Sequence, residues 1–242
     1  MGLMFEELDY RTTPIGDLRL RRRRMAQFGD LDIFEIILGD NFLMTSLFHE
    51  SEDQLSIIGL ADLAGDNLDV VVGGLGLGYT AAAALDHDKV GSLVVVDYLQ
   101  GVIDWHERHL VPMSERLTAD PRCQFVHGDF FALSKDTNNS YEVDKPDKKY
   151  HAILLDIDHT PTHVLNPNNL HLYTEQGLSE LASHLKPAGV FALWSDGHPV
   201  DSFVDQLNKV FSNAKAHLVE FDNPVTGGSS VGTVYVSLKR AL

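Results

Sequence analysis

Residues 71–85 restrict the fold more than any other part of the sequence. They read VVGGLGLGYTAAAAL: an apolar start, four glycines within six positions, and an alanine-rich run. A buried strand that passes through a glycine-rich turn into a helix is typical of sites for nucleotides and nucleosides. The segment therefore predicts an α/β fold with a nucleoside site at this turn.

Strand-like and helix-like segments alternate from this point to the end of the chain. The predicted strands cover residues 68–72, 93–97, 124–127, 152–156, 190–194, 217–221 and 231–238. The predicted helices cover residues 80–85, 102–117, 174–185 and 201–211. Continuous apolar strands indicate a parallel sheet that is covered on both faces. The last two strands are joined by a segment too short for a crossover helix, so we expect an antiparallel hairpin there. The sequence predicts a Rossmann-like, class I AdoMet-dependent methyltransferase fold, with a mostly parallel seven-stranded sheet ending in that hairpin.

Residues 1–50 predict a small N-terminal β-unit, and residues 51–242 predict the nucleoside-binding domain. Residues 31–38 and 42–47 are strand-like and flank a Gly-Asp-Asn turn. The run LRLRRRR at 18–24 predicts a strand with Arg19, Arg21 and Arg23 on one face. We interpret it as a charged edge strand, and a contact with an acidic subunit is the alternative. The tetrapeptide SEDQ at 51–54 has the form of a capping box that opens a helix ending near residue 65. The polar segment 135–149 is interpreted as a solvated loop.

Charge and composition exclude several classes of protein. The net charge of −16 argues against nucleic acid as a partner and favours the attraction of cations. A hydrophobic fraction of 44% excludes a largely disordered chain, and no apolar run reaches the length of a membrane span. The N-terminal residues MGLMFEELDY lack the basic start of a signal peptide, and Cys123 is the single cysteine. We therefore expect a cytoplasmic protein that binds neither membrane nor nucleic acid.

The spacing of the glycines and of the following acids indicates which nucleoside is bound. Gly74, Gly76 and Gly78 form an AdoMet-type GxGxG pattern, whereas a dinucleotide fingerprint needs a glycine where Tyr79 stands. Asp97 ends the next strand, 19 residues after Gly78, where a carboxylate can accept both ribose hydroxyls. Asp129 follows the third strand and can accept from the adenine amino group.

The fourth strand ends in LLDIDHTPTH, which contains Asp156, Asp158, His159 and His163. Asp156 is interpreted as a general base or a substrate-orienting carboxylate, with a helix cap or turn as the alternative. Four possible ligands in eight residues also suit a divalent metal ion, but such clusters are common on polar loops. We expect no bound metal.

These features together resemble the spermidine synthase-like (aminopropyltransferase) family. The likeness rests on the order of glycine turn, Asp97, Asp129 and an acid-ended strand with a proline-containing loop. It extends to the segment LYTEQGLSELASHLKPAGVFALW at 172–194, to VGTVYVSLKR at 231–240 and to the small N-terminal β-unit.

The resemblance implies the transfer of an aminopropyl group from decarboxylated AdoMet to a polyamine such as putrescine. Asp97 would then hold the ribose and Asp129 the adenine, while Asp156, Asp158 and His159 would form the catalytic set. The resemblance also implies methylthioadenosine as the product, no tightly bound cofactor and a homodimer.

The chain departs from the family's pattern at two positions. The Asp of the family's GGGDGG motif aligns with Gly76, and a second active-site acid aligns with His159, one position after Asp158. Decarboxylated AdoMet ends in a bare ammonium group, whereas the α-carboxylate of intact AdoMet is better accommodated by a glycine turn at a helix N-terminus. Two alternatives therefore stay open: an AdoMet-dependent methyltransferase acting on an unknown small molecule, with S-adenosylhomocysteine as product, and a non-catalytic nucleoside-binding homologue.

Overall fold

An antiparallel four-stranded sheet forms the N-terminal part of the protein. The computed structural model describes residues 4–240, so residues 1–3, on which part of the signal-peptide expectation rests, lie outside it. The strands are β1 (Met4–Thr13), β2 (Gly16–Arg24), β3 (Ile33–Leu38) and β4 (Asn41–Thr45), and they lie side by side in chain order.

The arginine-rich strand β2 is internal to this sheet. It pairs with β1 on one side and with β3 on the other, so the interpretation as an edge strand is wrong. Neighbouring strands supply partners for the charges: Arg23 forms an ion pair with Glu35, and the guanidinium of Arg21 lies 5.4 Å from the centre of the Phe5 ring. Cross-strand pairs of this kind stabilise a central strand that repulsion between arginines would otherwise disfavour.

The main sheet has seven strands in the order β10-β11-β9-β8-β5-β6-β7. They are β5 (Leu68–Gly73), β6 (Val90–Asp97), β7 (Cys123–His127), β8 (Tyr150–Leu155), β9 (Leu185–Asp196), β10 (Ser212–Asn223) and β11 (Gly228–Leu238). β5 to β9 pair in parallel, and β11 runs antiparallel to both of its neighbours. The predicted fold class, including the final hairpin, is confirmed.

Seven helices accompany these strands within the described residues. They are α1 (Glu50–Leu60), α2 (Tyr79–Leu85), α3 (Gln100–Glu107), α4 (Ser114–Ala119), α5 (Phe130–Lys135), α6 (Glu175–Ser183) and α7 (Asp201–Val210). The helix predicted over 102–117 is two helices, because His109 has φ +56° and Pro112 cannot donate a backbone hydrogen bond. No helix of residues 4–240 combines the length and the apolar character needed to cross a membrane.

The start of α1 differs from the predicted capping box. The N-cap is His49 rather than Ser51, so the helix begins two residues earlier than predicted, at Glu50, and no side chain caps it. Ser51 therefore lies inside the first turn, where its hydroxyl donates to the carboxylate of Glu52 at 2.6 Å. Acidic residues in the first turn suit the positive end of the helix dipole, which stabilises this start without a cap.

The segment interpreted as a solvated loop contains a fully buried aromatic side chain. Tyr141 stacks on Phe130 with ring centres 5.2 Å apart, and its hydroxyl lies 2.8 Å from that of Ser134. The solvated-loop interpretation is wrong for this part of the segment. Burial of the Tyr141 ring is favourable enough to hold it in the core although the neighbouring residues in the sequence are polar.

One apolar cluster crosses the predicted domain boundary. It joins Leu18 and Leu38 of the small sheet to Leu77 and Leu99 near the glycine turn. The small sheet is thereby packed against the carboxyl edge of the main sheet, where ligands bind in folds of this type. The division at residue 50 itself stays a prediction.

Candidate functional site

A cavity of about 280 Å³ lies beyond the carboxyl ends of the central strands. Parallel pairing aligns the ends of β5, β6 and β8, so that Gly73 is level with Val96 on one side and Leu155 on the other. The residues that follow these positions face one another across the cavity. The small sheet also contributes lining side chains, namely Ile15, Ile36, Leu38, Leu43 and Met44.

Gly74 opens the glycine turn where two strands come very close. Its N–H donates to the carbonyl of Val96, and a Cβ at this position would lie 2.0 Å from the carbonyl oxygen of Asp156. With φ at +96°, the position strongly favours glycine. The N–H of Asp156 donates to the Gly73 carbonyl at 2.8 Å, and this bond holds the end of β8 and Asp156 beside the turn.

Gly76 occupies the middle of the turn, and two side chains enclose it. A Cβ here would lie 2.6 Å from the Sδ atom of Met44, and φ is +48°. The imidazole Nε2 of His106 lies 2.9 Å from the Gly76 carbonyl oxygen. Burial lowers the pKa of His106 to about 4, so this ring is neutral and donates to the carbonyl.

Three amides of the turn are already used within the protein. Leu75 N–H donates to Asp97 Oδ2 at 2.9 Å, Leu77 N–H donates to Met44 Sδ at 3.2 Å, and Gly78 N–H donates to the Leu75 carbonyl. A turn whose N–H groups are occupied offers little to an anionic ligand group.

Asp97 and Asp129 both line the cavity, as the predicted nucleoside contacts require. Asp97 also accepts a backbone hydrogen bond from Leu99 at 2.8 Å, and burial raises its pKa although these bonds oppose the shift. Asp129 caps α5 by accepting from the N–H groups of Phe131 and Ala132. Each carboxylate keeps free lone pairs beside its structural bonds, because a carboxylate offers about four acceptor positions.

Asp156 and a second acid, Glu52, lie on either side of the first turn of α2. Its Oδ2 accepts from the Thr80 hydroxyl at 2.6 Å, and the same hydroxyl lies 3.3 Å from the backbone carbonyl of Glu52. Burial raises the pKa of Asp156 to about 6. Burial also raises the pKa of Glu52 to about 7, and the nearby Asp156 charge adds to this shift.

Asp158 lies outside the cavity lining and is almost fully buried. Its carboxylate accepts from Leu165 N–H, from the Asn169 side-chain amide and from the Tyr173 hydroxyl at 2.9 Å. These bonds connect the loop after β8 to residues 165–173. His159, the third predicted catalytic residue, does line the cavity.

Glu52 and Met44 are cavity residues that the sequence does not predict as site residues. Glu52 was assigned to a capping box, and Met44 lies in the N-terminal sheet, far along the chain from the glycine turn. No local pattern marks either residue, because both reach the site only when the small sheet and α1 pack onto the main sheet.

No group of three or more His, Cys, Asp and Glu side chains within residues 4–240 has an arrangement suited to a metal ion. Asp156, His159 and His163 thus do not form such a group with Asp158.

The main sheet, with its single antiparallel strand, has the class I AdoMet-dependent methyltransferase fold. The acid-lined cavity lies beyond the carboxyl edge of this sheet. Within this class, the chain belongs to the spermine/spermidine synthase family, since the family model described as "Spermine/spermidine synthase domain" matches residues 47–221.

The similar proteins agree with this assignment. The chain is 30% identical over 184 residues to a polyamine aminopropyltransferase of Sulfolobus acidocaldarius, in an alignment that covers 74% of this chain and 54% of that protein. The chain thus spans about half the length of this relative. A crystal structure of spermidine synthase from Thermotoga maritima matches with a TM-score of 0.69 at 18% identity, covering 96% of this chain and 72% of that one. A spermidine synthase in complex with the transition-state analogue AdoDATO matches with a TM-score of 0.70 at 18% identity, covering 96% and 73%. These two structures share the fold with this chain.

Proposed function

We propose that the protein transfers the aminopropyl group of decarboxylated AdoMet to an amine such as putrescine, with methylthioadenosine as the second product. The charge of the cavity lining carries this proposal. Four acids line the cavity, namely Glu52, Asp97, Asp129 and Asp156. Among the residues that the structure describes, no lysine or arginine lines it. Such a lining attracts a sulfonium with a bare ammonium group and an alkylammonium acceptor.

The nucleoside part of the donor is proposed to lie along the ends of β5, β6 and β7. Asp97 would accept from the ribose hydroxyls and Asp129 from the adenine amino group. Tyr98, Leu99 and Phe131 line the same cavity and supply apolar surface for a purine ring. Gly74 and Gly76 line the cavity and allow the backbone to approach the ribose and sulfur closely. Gly78, the third predicted glycine, lies outside the lining and packs against Met113 and Leu117.

Asp156 is proposed to orient the amine and to accept its proton. The amine nitrogen bonds to the methylene carbon next to sulfur, and the electrons of the breaking carbon–sulfur bond pass to sulfur, which becomes a neutral thioether. The amine proton leaves to the carboxylate. A carboxyl whose pKa is raised to about 6 is a stronger base than an ordinary aspartate and suits this role near neutral pH. Alignment of the two reactants contributes up to about 7–11 kcal/mol in ideal cases.

His159 and Asp158 are proposed to support this centre in different ways. His159 lines the acceptor side of the cavity, and burial lowers its pKa, so the ring is neutral beside an alkylammonium. Asp158 acts on the loop rather than on the substrate, because its oxygens already accept from three protein groups.

An assay with decarboxylated AdoMet and putrescine tests the proposal. We expect spermidine and methylthioadenosine in equal amounts, measured by mass spectrometry, and no methyl transfer from intact AdoMet. Asp156→Asn should lower kcat by roughly 10²- to 10⁴-fold. Asp222→Asn, an exposed position on the β10–β11 hairpin, is the matched control and should leave the rate unchanged. Turnover with intact AdoMet in place of the decarboxylated donor would refute the proposal.

The remaining expectations are part of the same proposal. A homodimer, the absence of nucleic-acid partners and a cytoplasmic location stay predictions. The exposed aromatic rings of Phe5 and Tyr10 on β1 provide a surface that suits a contact between copies. Light scattering on the purified protein measures the mass directly.

A further inference from the structure

Glu52 is a second acid in the cavity, and its carboxyl group is positioned as specifically as that of Asp156. Ser51 donates to its Oε2 at 2.6 Å, and the Thr80 hydroxyl lies against both its backbone carbonyl and the Asp156 carboxylate. The two acids therefore flank the first turn of α2, directly after the glycine turn. Within residues 4–240, neither acid forms an ion pair with a lysine or an arginine.

The charges around this pair leave it without a full counterion. The nearest titratable groups on adjoining elements are His49 before α1, Asp53 on α1 and Tyr79 on α2. His49 is committed to Asp53, with 2.8 Å between Nδ1 and the carboxylate, and its ring stacks on Tyr79. Two partly buried carboxyls whose neighbouring imidazole is already engaged repel each other, and this repulsion favours the binding of a cation beside them.

We propose that Glu52 binds the terminal ammonium group of the donor's aminopropyl chain, beside the negative charge of Asp156, and so selects decarboxylated AdoMet against intact AdoMet. The inference rests on the proposed function and deepens it, because it names the group that recognises the donor. The ammonium group forms charge-assisted hydrogen bonds to the Glu52 carboxylate, whereas the α-carboxylate of intact AdoMet is repelled by both acids.

The glycine turn makes Glu52 the residue best placed for this task. No side chain at position 76 can reach the donor, because Met44 Sδ fills the space where a Cβ would lie. The Leu75 and Leu77 amides are bonded to Asp97 and Met44, so these two groups do not hold the α-carboxylate of AdoMet. Recognition of the chain end therefore passes to acids that border the turn, and Glu52 is the one not already assigned to another step.

Binding measurements with three nucleosides test the inference. Decarboxylated AdoMet and AdoMet both carry a sulfonium, and their chain ends differ: the first has an ammonium group, the second an ammonium group and a carboxylate. Methylthioadenosine has neither the sulfonium nor a charged chain end. Calorimetry on the wild type and on Glu52→Gln should give a Kd for decarboxylated AdoMet that is roughly 10- to 100-fold weaker in the variant. The Kd for methylthioadenosine should not change, and the preference over AdoMet should fall by the same factor.

Two further variants separate recognition from folding. Glu50→Gln makes the same change at an exposed position on the same helix and should leave all three affinities unchanged. Glu52→Asp keeps the charge and should retain more of the donor preference than Glu52→Gln. Thermal unfolding of each variant establishes that it is folded.

The possible outcomes distinguish this inference from the proposed function. A wild type that binds AdoMet as tightly as its decarboxylated form overturns the proposed function and this inference together. A wild type that prefers the decarboxylated donor, with a Glu52→Gln variant that keeps the full preference, overturns the role of Glu52 alone. Equal loss of affinity for all three nucleosides in Glu52→Gln also overturns it, because that result means a structural role.

Discussion

Glu52 and Asp156 are weakened acids, and this property links the site to the stability of the protein. The pKa of Glu52 is raised from 4.5 to about 7 and that of Asp156 from 3.8 to about 6, in both cases mainly through burial. A group whose pKa is higher in the folded state binds more protons there than in the unfolded chain at intermediate pH. These two groups therefore lower the free energy of unfolding as the pH rises from about 4 to about 7.

This linkage gives a prediction for Glu52→Gln. The variant removes one of the two groups, so its Tm should exceed that of the wild type at pH 8, where the wild-type pair is charged. The difference should vanish towards pH 4, where both acids are protonated in the wild type as well. Calorimetric scans across this range check it, with Glu50→Gln as the control. A Tm difference that is the same at every pH would contradict the assignment of the raised pKa to Glu52.

Single residues also show where local sequence patterns suffice. Asp97 and Asp129 line the cavity because each follows a parallel strand, and the rule that such ends share one edge needs only the strand assignment. Asp158 follows the same strand as Asp156, and continued alternation would put both side chains on one face. The loop after β8 instead turns Asp158 into the protein interior. Its burial depends on Asn169 and Tyr173, which no pattern in LLDIDHTPTH specifies.

At the level of elements, the contact between strand β4 and the glycine turn decides what the turn can bind. Met44 comes from the small sheet, accepts from Leu77 N–H and fills the space above Gly76. The two sheets are therefore connected through the site itself, and a change in the position of β4 alters the cavity.

This contact predicts coupling between positions 44 and 76. Gly76→Ala should destabilise the protein through both its positive φ and the contact with Met44. Gly39→Ala is the matched control, since Gly39 has φ +58° but no atom within 4 Å of an added Cβ, and it should cost only the backbone term of about 1–2 kcal/mol. The double variant Gly76→Ala/Met44→Ala should lose less stability than the sum of the two single variants. Additive losses in urea unfolding would contradict a direct contact.

The strands and helices of the main sheet were largely predictable, whereas the element boundaries that depend on packing were not. All seven strands follow from apolar runs that alternate with helix-length segments. The start of α1, the break between α3 and α4 and the burial of Tyr141 depend on neighbours distant in sequence. The arginine pattern predicted a strand correctly, but only the pairing with β1 and β3 places it inside a sheet.

At the scale of the whole molecule, net charge and cavity charge have the same sign. The chain carries a net charge of −16, and four acids but, among residues 4–240, no lysine or arginine line the cavity. Long-range attraction of a dicationic amine is screened by salt, because the Debye length falls below about 10 Å above 0.1 M ionic strength.

The expected result is a KM for putrescine that rises between about 50 and about 300 mM NaCl, with little change in kcat. The affinity for methylthioadenosine, which carries no charge, should stay constant over the same range and serves as the control. Steady-state kinetics and calorimetry measure the two quantities. A KM that does not depend on salt would mean that contacts inside the cavity, rather than the field of the protein, bring in the amine.

The sequence by itself determined the fold class, the position of the glycine turn and the acids at the ends of β6, β7 and β8. These features are local: they depend on apolar periodicity, on glycine spacing and on which residue follows a strand. Only the tertiary structure placed Glu52 beside Asp156 and Met44 against Gly76. The reason is physical, since these pairs are brought together by packing of the small sheet and α1 onto the main sheet, and residues many positions apart leave no local pattern.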